Sequence, residues 1–265
     1  MDNLPQIAKE LEWANYARTA FFASVVPGPQ VCVSSEIILI TDPSVPMTDA
    51  NHAALLRTTP DRADAIIERV IRHYQDVGQK PCVVLSSNCS PDDLPQRLLA
   101  HGFVQYGGEE YWTMLQDRTF AESFRAPENV TVCQASAQDM PDFCQVMIAA
   151  FDMPQDTFPI LDRAFGLIND LPGIHNYVAY IDGKPIGCAS LFSYLGIGAL
   201  GSMSVIPSAR SSNAMWALAA RSYQDMKQDD DKTMIFQTQL PWLDSLLQRV
   251  GCVRVLTRTY YIMHD

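Results

Sequence analysis

Apolar residues recur along this chain with two periods, and the switches between them mark out its elements. In DRADAIIERVIRHYQDVG (61–78), Ile66 and Val70, with Ile67 and Ile71, form one stripe at helical spacing. SNAMWALAARSYQDMKQ (212–228) does the same with Met215, Leu218, Ala219 and Met226. VTVCQASAQDMPDFCQVMIAAF (130–151) reads as a strand followed by a helix with Ser136 as N-cap, and LDRAFGLINDL (161–171) as a further helix. Alternation takes over in NYVAYIDGKPIGCASLF (176–192), two strands joined by Asp182-Gly183, a strong short hairpin signal. IGALGSMSV (197–205) continues as a strand, and QVCVSSEIILITDPS (30–44) supplies two more.

Two stretches repeat one another. Residues 82–115 and 233–263 each run from a β-rich segment through a polar or proline break and a leucine-rich helix to a glycine and a last strand. Gly102 is followed by Tyr111 and Met114, and Gly251 by Tyr260 and Met263, at the same offsets. This predicts two copies of one αβ unit, in domains spanning residues 1–120 and 121–265. The polar, proline-ended DRTFAESFRAPEN (117–129) is the expected linker.

The junction SVIPSARSSNAMWALAA (204–220) passes from a strand into a helix, a place where free backbone N–H groups can hold a phosphate. It contains Arg210 but no glycine. The equivalent approach in the first copy, MTDANHAALLRTTPDR (47–62), has neither a glycine turn nor an arginine at the corresponding place.

The order β–α–α–β–β–β–α–β–α–β, with a loop carrying Val205, Pro207 and Arg210 before the third helix, resembles the GCN5-related N-acetyltransferase (GNAT) fold over residues 130–263. Residues 20–115 resemble the degenerate amino-terminal domain of tandem members. The resemblance implies a mixed α/β (α+β) architecture of two domains, each a mostly antiparallel sheet flanked by helices. It implies acetyl-CoA as co-substrate, its pantetheine lined by Met203, Ser204 and Val205 and its pyrophosphate faced by Arg210, Ser211, Ser212, Asn213, Ala214 and Met215. The family's two loop glycines fall on Asn213 and Met215, and its catalytic tyrosine and asparagine on Leu247 and Leu240, so no catalytic side chain is assigned. Tyr260 and Tyr261 are read as sheet packing, with substitution for the missing acid as the alternative. The implied function is acyl-CoA-dependent N-acetylation of a small amine. The alternative is a catalytically degenerate module that binds CoA or another ligand in regulation or assembly. The acceptor is chosen by residues within 145–175, none of which names a chemical class.

Composition narrows the partners. The 265 residues are 48% hydrophobic and 18% charged, as in a globular chain with a large core. The net charge of −11 is spread evenly, with 10 basic and 16 acidic residues up to 125 (−6) and 9 and 14 beyond it (−5). No basic cluster suits nucleic acid or an anionic membrane, whereas a cationic amine suits the charge. The seven cysteines form no CxxC pair, which fits reduced thiols in a cytoplasm, and neither an export signal nor a membrane span is expected. Cys82, Cys89 and His101 match no zinc spacing, so no metal is expected; a homo-oligomer stays open.

Overall fold

The computed structural model describes residues 4–44, 47–115, 128–229, 233–249 and 251–264. The expected linker at 117–129 lies, apart from residues 128 and 129, outside them. The chain forms two compact units: Met1–Trp112 with Thr238–Asp244 and Arg254–Asp265, and Thr113–Gln237 with Ser245–Val253.

The first unit contains α1 (Leu4–Val25), β1 (Gln30–Val33), β2 (Ile38–Thr41), β3 (His52–Ala54), α2 (Ala63–Asp76), β4 (Cys82–Ser86), α3 (Leu94–Ala100) and β5 (Phe103–Leu115) up to Trp112. Its last strand is β11 (Cys252–Met263), which pairs antiparallel with β4 from Arg258↔Ser86 to Ile262↔Cys82 and makes the strand order β1-β2-β3-β4-β11-β5. Period-two burial divides the apolar residues between the sheet faces. Leu39, Val83, Leu85 and Tyr261 pack under Ile66, Ile67, Val70 and Tyr74 of α2 and Leu94 and Leu98 of α3. Ile38 and Ile40 face Tyr16 of α1, a helix the sequence pattern did not single out.

The second unit runs β6 (Thr131–Gln134), α4 (Met140–Phe151), α5 (Phe158–Ile168), β7 (Ile174–Ile181), β8 (Lys184–Tyr194), β9 (Ile197–Val205), α6 (Ala214–Gln228) and β10 (Thr233–Thr238), in strand order β10-β9-β8-β7-β6. α7 (Pro241–Arg249) leads into β11. Asp182 and Gly183 both have positive φ (49° and 73°), the turn that joins twisted strands without splaying them. Phe143, Cys144 and Met147 of α4 pack on Val178 and Cys188, with Phe158, Leu161 and Phe165 beside them. The N-cap of α4 is Asp139, not Ser136. Ser136 instead donates its backbone N–H and hydroxyl to the Asp139 carboxylate, at 2.9 and 2.6 Å, and closes the turn before the helix. No helix among the described residues is long and apolar enough to cross a membrane.

The repeat appears as β4–α3–Gly102–β5 and β10–α7–Gly251–β11. Both glycines end the approach from a helix with positive φ (85° and 91°), a conformation open to glycine at little cost.

Candidate functional site

β9 is paired on one side along its length and on the other only in part. Its parallel register with β10 runs from Ile197↔Thr233 to Leu200↔Phe236 and stops, so Gly201–Val205 have no β10 partner. On the β8 side the register shifts between Cys188↔Ser204 and Ser190↔Gly201, and Ser202 sits at φ +50°. This is a bulge: the extra residue bends the strand and frees main-chain groups at its edge. Gly201 inside the apolar run was the signal that could have located it. Met203, Ser204 and Val205, the expected pantetheine residues, lie on this half-buried free edge.

The edge leads through a short 3-10 turn (Pro207–Ala209) to α6. Ser212 N–H donates to Ala209 C=O at 2.9 Å, and Ala214 N–H to Ser212 Oγ at 3.3 Å. The N–H groups of Arg210, Ser211, Asn213 and Met215 have no acceptor among the described residues. Asn213 is the N-cap, with φ +59° and ψ +16°, and its carbonyl accepts from Trp216 and Ala217 at 3.0 and 3.2 Å. Of the non-glycine residues, Asn is among those that tolerate this left-handed conformation best. Arg210, Ser211 and Asn213 are exposed, Ser212 and Met215 half-buried, and Ala214 is buried against the unit. The loop therefore has the turn that a glycine would make, with its N–H donors at the positive end of a 15-residue helix.

The far end of α6 is anchored to β7. Tyr177 Oη and Arg221 Nε both donate to Asp225 Oδ2, at 2.8 and 2.9 Å, and the Arg221 guanidinium lies 5.7 Å from the Tyr177 ring centre. Burial and the Asp225 carboxylate push the Tyr177 phenol far above its ordinary range, so it stays a donor. Next to this pair, His175 Nε2 meets Asp229 Oδ2 at 2.7 Å and its Nδ1 lies 3.2 Å from Gln134 Nε2. Both ring nitrogens are engaged, so His175 is a clamp on the helix end and has no nitrogen left to act as a base. A side chain at Gly187 would come within 3.1 Å of Ser204 O and 3.2 Å of Leu218 Cδ1, so glycine lets α6 lie close on β8.

Leu247 is 3% exposed and Leu240 is at the surface; neither side chain can move a proton. Cys188 is buried against Ser204 Oγ (3.3 Å), and burial lifts its thiol to about 12. Tyr260 and Tyr261 are buried in the first unit. His101 pairs with Asp64, and Cys82 packs with Val84 and Tyr260. Trp242 is exposed.

The first unit contains the same strand–loop–helix junction with its openings filled. β3 and β4 pair in parallel at Ala53↔Val83 and Ala54↔Val84, and Leu55 takes φ +48°. The strands then rejoin: Ser90 N–H donates to Leu56 C=O at 2.9 Å and Thr58 N–H to Ser90 C=O at 3.1 Å. At the start of α2, the Glu36 carboxylate accepts from Thr58 Oγ1 and Arg62, at 2.8 and 2.9 Å. Here a carboxylate of the chain itself lies on side-chain donors at the approach to the helix.

Residues 145–244 match the model of the Acetyltransferase (GNAT) family. Among solved structures, a GCN5-related N-acetyltransferase from Kribbella flavida superposes with a TM-score of 0.70 at 13% identity, over 95% of this chain and 96% of its own. One from Sphaerobacter thermophilus gives 0.62 at 14% identity, over 98% and 92%. A tandem GNAT protein from the clavulanic acid biosynthesis pathway gives 0.58 at 12% identity, over 89% and 83%. At these identities the likeness is one of fold. No curated protein sequence matches the chain.

Proposed function

We propose, for a chain that carries a GNAT acetyltransferase domain at residues 145–244 and has the fold of tandem GNAT proteins, that its second unit transfers an acetyl group from acetyl-CoA to the amine of a small substrate. The observation that carries this reading is the start of α6: four unclaimed N–H donors and the exposed Arg210 beside the free edge of β9. Arg210 and the amides up to Met215 would hold the pyrophosphate, and main-chain groups of Met203, Ser204 and Val205 the pantetheine. When bound, acetyl-CoA supplies an activated thioester. Past the end of the β10 pairing, main-chain groups of Gly201–Val205 have no β10 partner, and an N–H there would stabilise charge developing on the thioester oxygen.

The chain's net negative charge favours arrival of the protonated amine, which gives one proton to solvent before it attacks as the neutral form and a second to solvent as the amide forms. With Leu247 in place of an acid, the sulfur leaves as thiolate. Its pKa of about 8.5 makes that departure feasible without a dedicated proton donor. The Glu36-filled, strand-closed junction of the first unit supports a single cofactor site per chain.

The test is thioester loss from acetyl-CoA in the presence of the protein and a panel of small primary and polyfunctional amines. Loss that requires both protein and amine is expected. Saturable acetyl-CoA binding with no acceleration by any amine would contradict catalysis.

A further inference from the structure

Beneath α1 in the first unit, Arg258 of β11 is buried with 5% of its surface exposed. Its guanidinium carbon lies 5.1 Å from the ring centre of Trp112, 5.5 Å from that of Tyr260 and 5.9 Å from that of Tyr16. Nη2 donates to Tyr260 Oη at 2.9 Å, and Tyr260 Oη in turn donates to Asp49 Oδ1 at 3.4 Å. Nε lies 3.1 Å from Glu110 Oε2, a charge contact whose N–H is not aligned as a hydrogen bond. The same carboxylate oxygen is held by Trp112 Nε1 at 2.8 Å. Two further buried polar atoms have no partner, Tyr16 Oη and His52 Nε2. His52 Nδ1 lies 3.0 Å from the Thr48 carbonyl, to which it can only donate, so Nε2 carries a bare lone pair. Burial, and then the Arg258 charge, hold this imidazole neutral by depressing its pKa to about 3.

The groups that attract this guanidinium are carboxylates, phenol oxygens and three aromatic rings, with an imidazole lone pair close by, and they outweigh the one buried cation that opposes it, Arg18. Such a lining suits a flat, donor-only cation and disfavours anions and neutral polar molecules. The lining comes from α1, β3, β5 and β11, so it is not a local feature of one element.

We propose that the first unit contains a guanidinium-binding cage whose ligand is the chain's own Arg258. The cage fills when β11, the last strand of the chain, docks between β4 and β5, and it locks that strand in place. Without the guanidinium the partly buried Glu110 carboxylate would keep the Trp112 N–H but lose its cation, which an empty cage cannot tolerate at little cost. A free guanidinium compound of the right size therefore substitutes for the missing side chain.

The experiment is rescue of full-length Arg258→Ala by methylguanidinium at millimolar concentration, followed by thermal melting. The variant is expected to melt well below the natural protein. Methylguanidinium should raise its melting temperature by several degrees in a saturable way and leave the natural protein unmoved. N-methylurea, of the same shape and uncharged, should do nothing. No shift in the variant, the same shift in both proteins, or equal rescue by N-methylurea would overturn the proposal. If Arg258→Ala does not fold on expression, refolding yield from denaturant replaces melting as the readout. A yield raised by methylguanidinium and not by N-methylurea supports the cage, and an unchanged yield overturns it.

Discussion

Replacing Gly173 with alanine is expected to destabilise the second unit by about 2–5 kcal/mol. Gly173 ends the approach to β7 at φ +75°, and a Cβ built there would lie 2.5 Å from the Ser193 carbonyl oxygen. That oxygen cannot step aside, because Ser193 lies in the β7–β8–β9 ladder and its own N–H donates to Gly173 C=O at 2.7 Å. The left-handed backbone costs an alanine about 1–2 kcal/mol, and forcing an atom into occupied space about 1–3 kcal/mol more. At roughly 2–4 °C per kcal/mol for a unit of this size, the melting temperature should fall by about 5–20 °C. Gly183→Ala is the control: φ is +73°, yet nothing lies within 4 Å of its Cβ, so only the backbone strain applies. Equal losses at the two glycines in thermal melts would mean that the Gly173–Ser193 contact is not as tight as described.

The largest functional effect is expected at Arg210. Its side chain is exposed and makes no ion pair among the described residues, so Arg210→Ala should leave stability unchanged. Losing a hydrogen bond to a charged group costs about 1.5–3 kcal/mol, which weakens acetyl-CoA binding roughly 10- to 150-fold. Asn213→Gly should change little, since Asn213 already holds φ +59°. Met215→Gly should tighten binding about three- to tenfold if its half-buried side chain crowds the pyrophosphate. The helix would lose about 1 kcal/mol from the new glycine, so affinity must be read by titration of folded protein. Unchanged affinity in Arg210→Ala would remove the loop from the binding site.

What the sequence disclosed was local. Asp182-Gly183 fixed the hairpin because few residues other than glycine, Asn and Asp make its turn, and IGALGSMSV matched β9 from end to end. Asn213 was readable for the same reason: its type signals a left-handed backbone. The glycine at Gly102 and Gly251 revealed the repeat, since a chain leaving a helix for a strand needs positive φ there. What stayed hidden was long-range. Nothing in CVRVLTRTYYIM names β4, more than 150 residues earlier, as its partner, because the strand pattern fixes a face and leaves the neighbour open. Nothing in that pattern marks Arg258 as buried; tertiary pairing places it among three rings. The anchors of α6, Tyr177–Asp225 and His175–Asp229, were likewise invisible, each joining residues about 50 positions apart.

The central claim is that the second unit, through the open edge of β9 and the start of α6, holds acetyl-CoA, and that the first unit does not. Calorimetric titration of acetyl-CoA into the natural protein tests it most directly. The account predicts saturable binding in the micromolar range with one site per chain. No binding at millimolar acetyl-CoA, or two sites per chain, would contradict it.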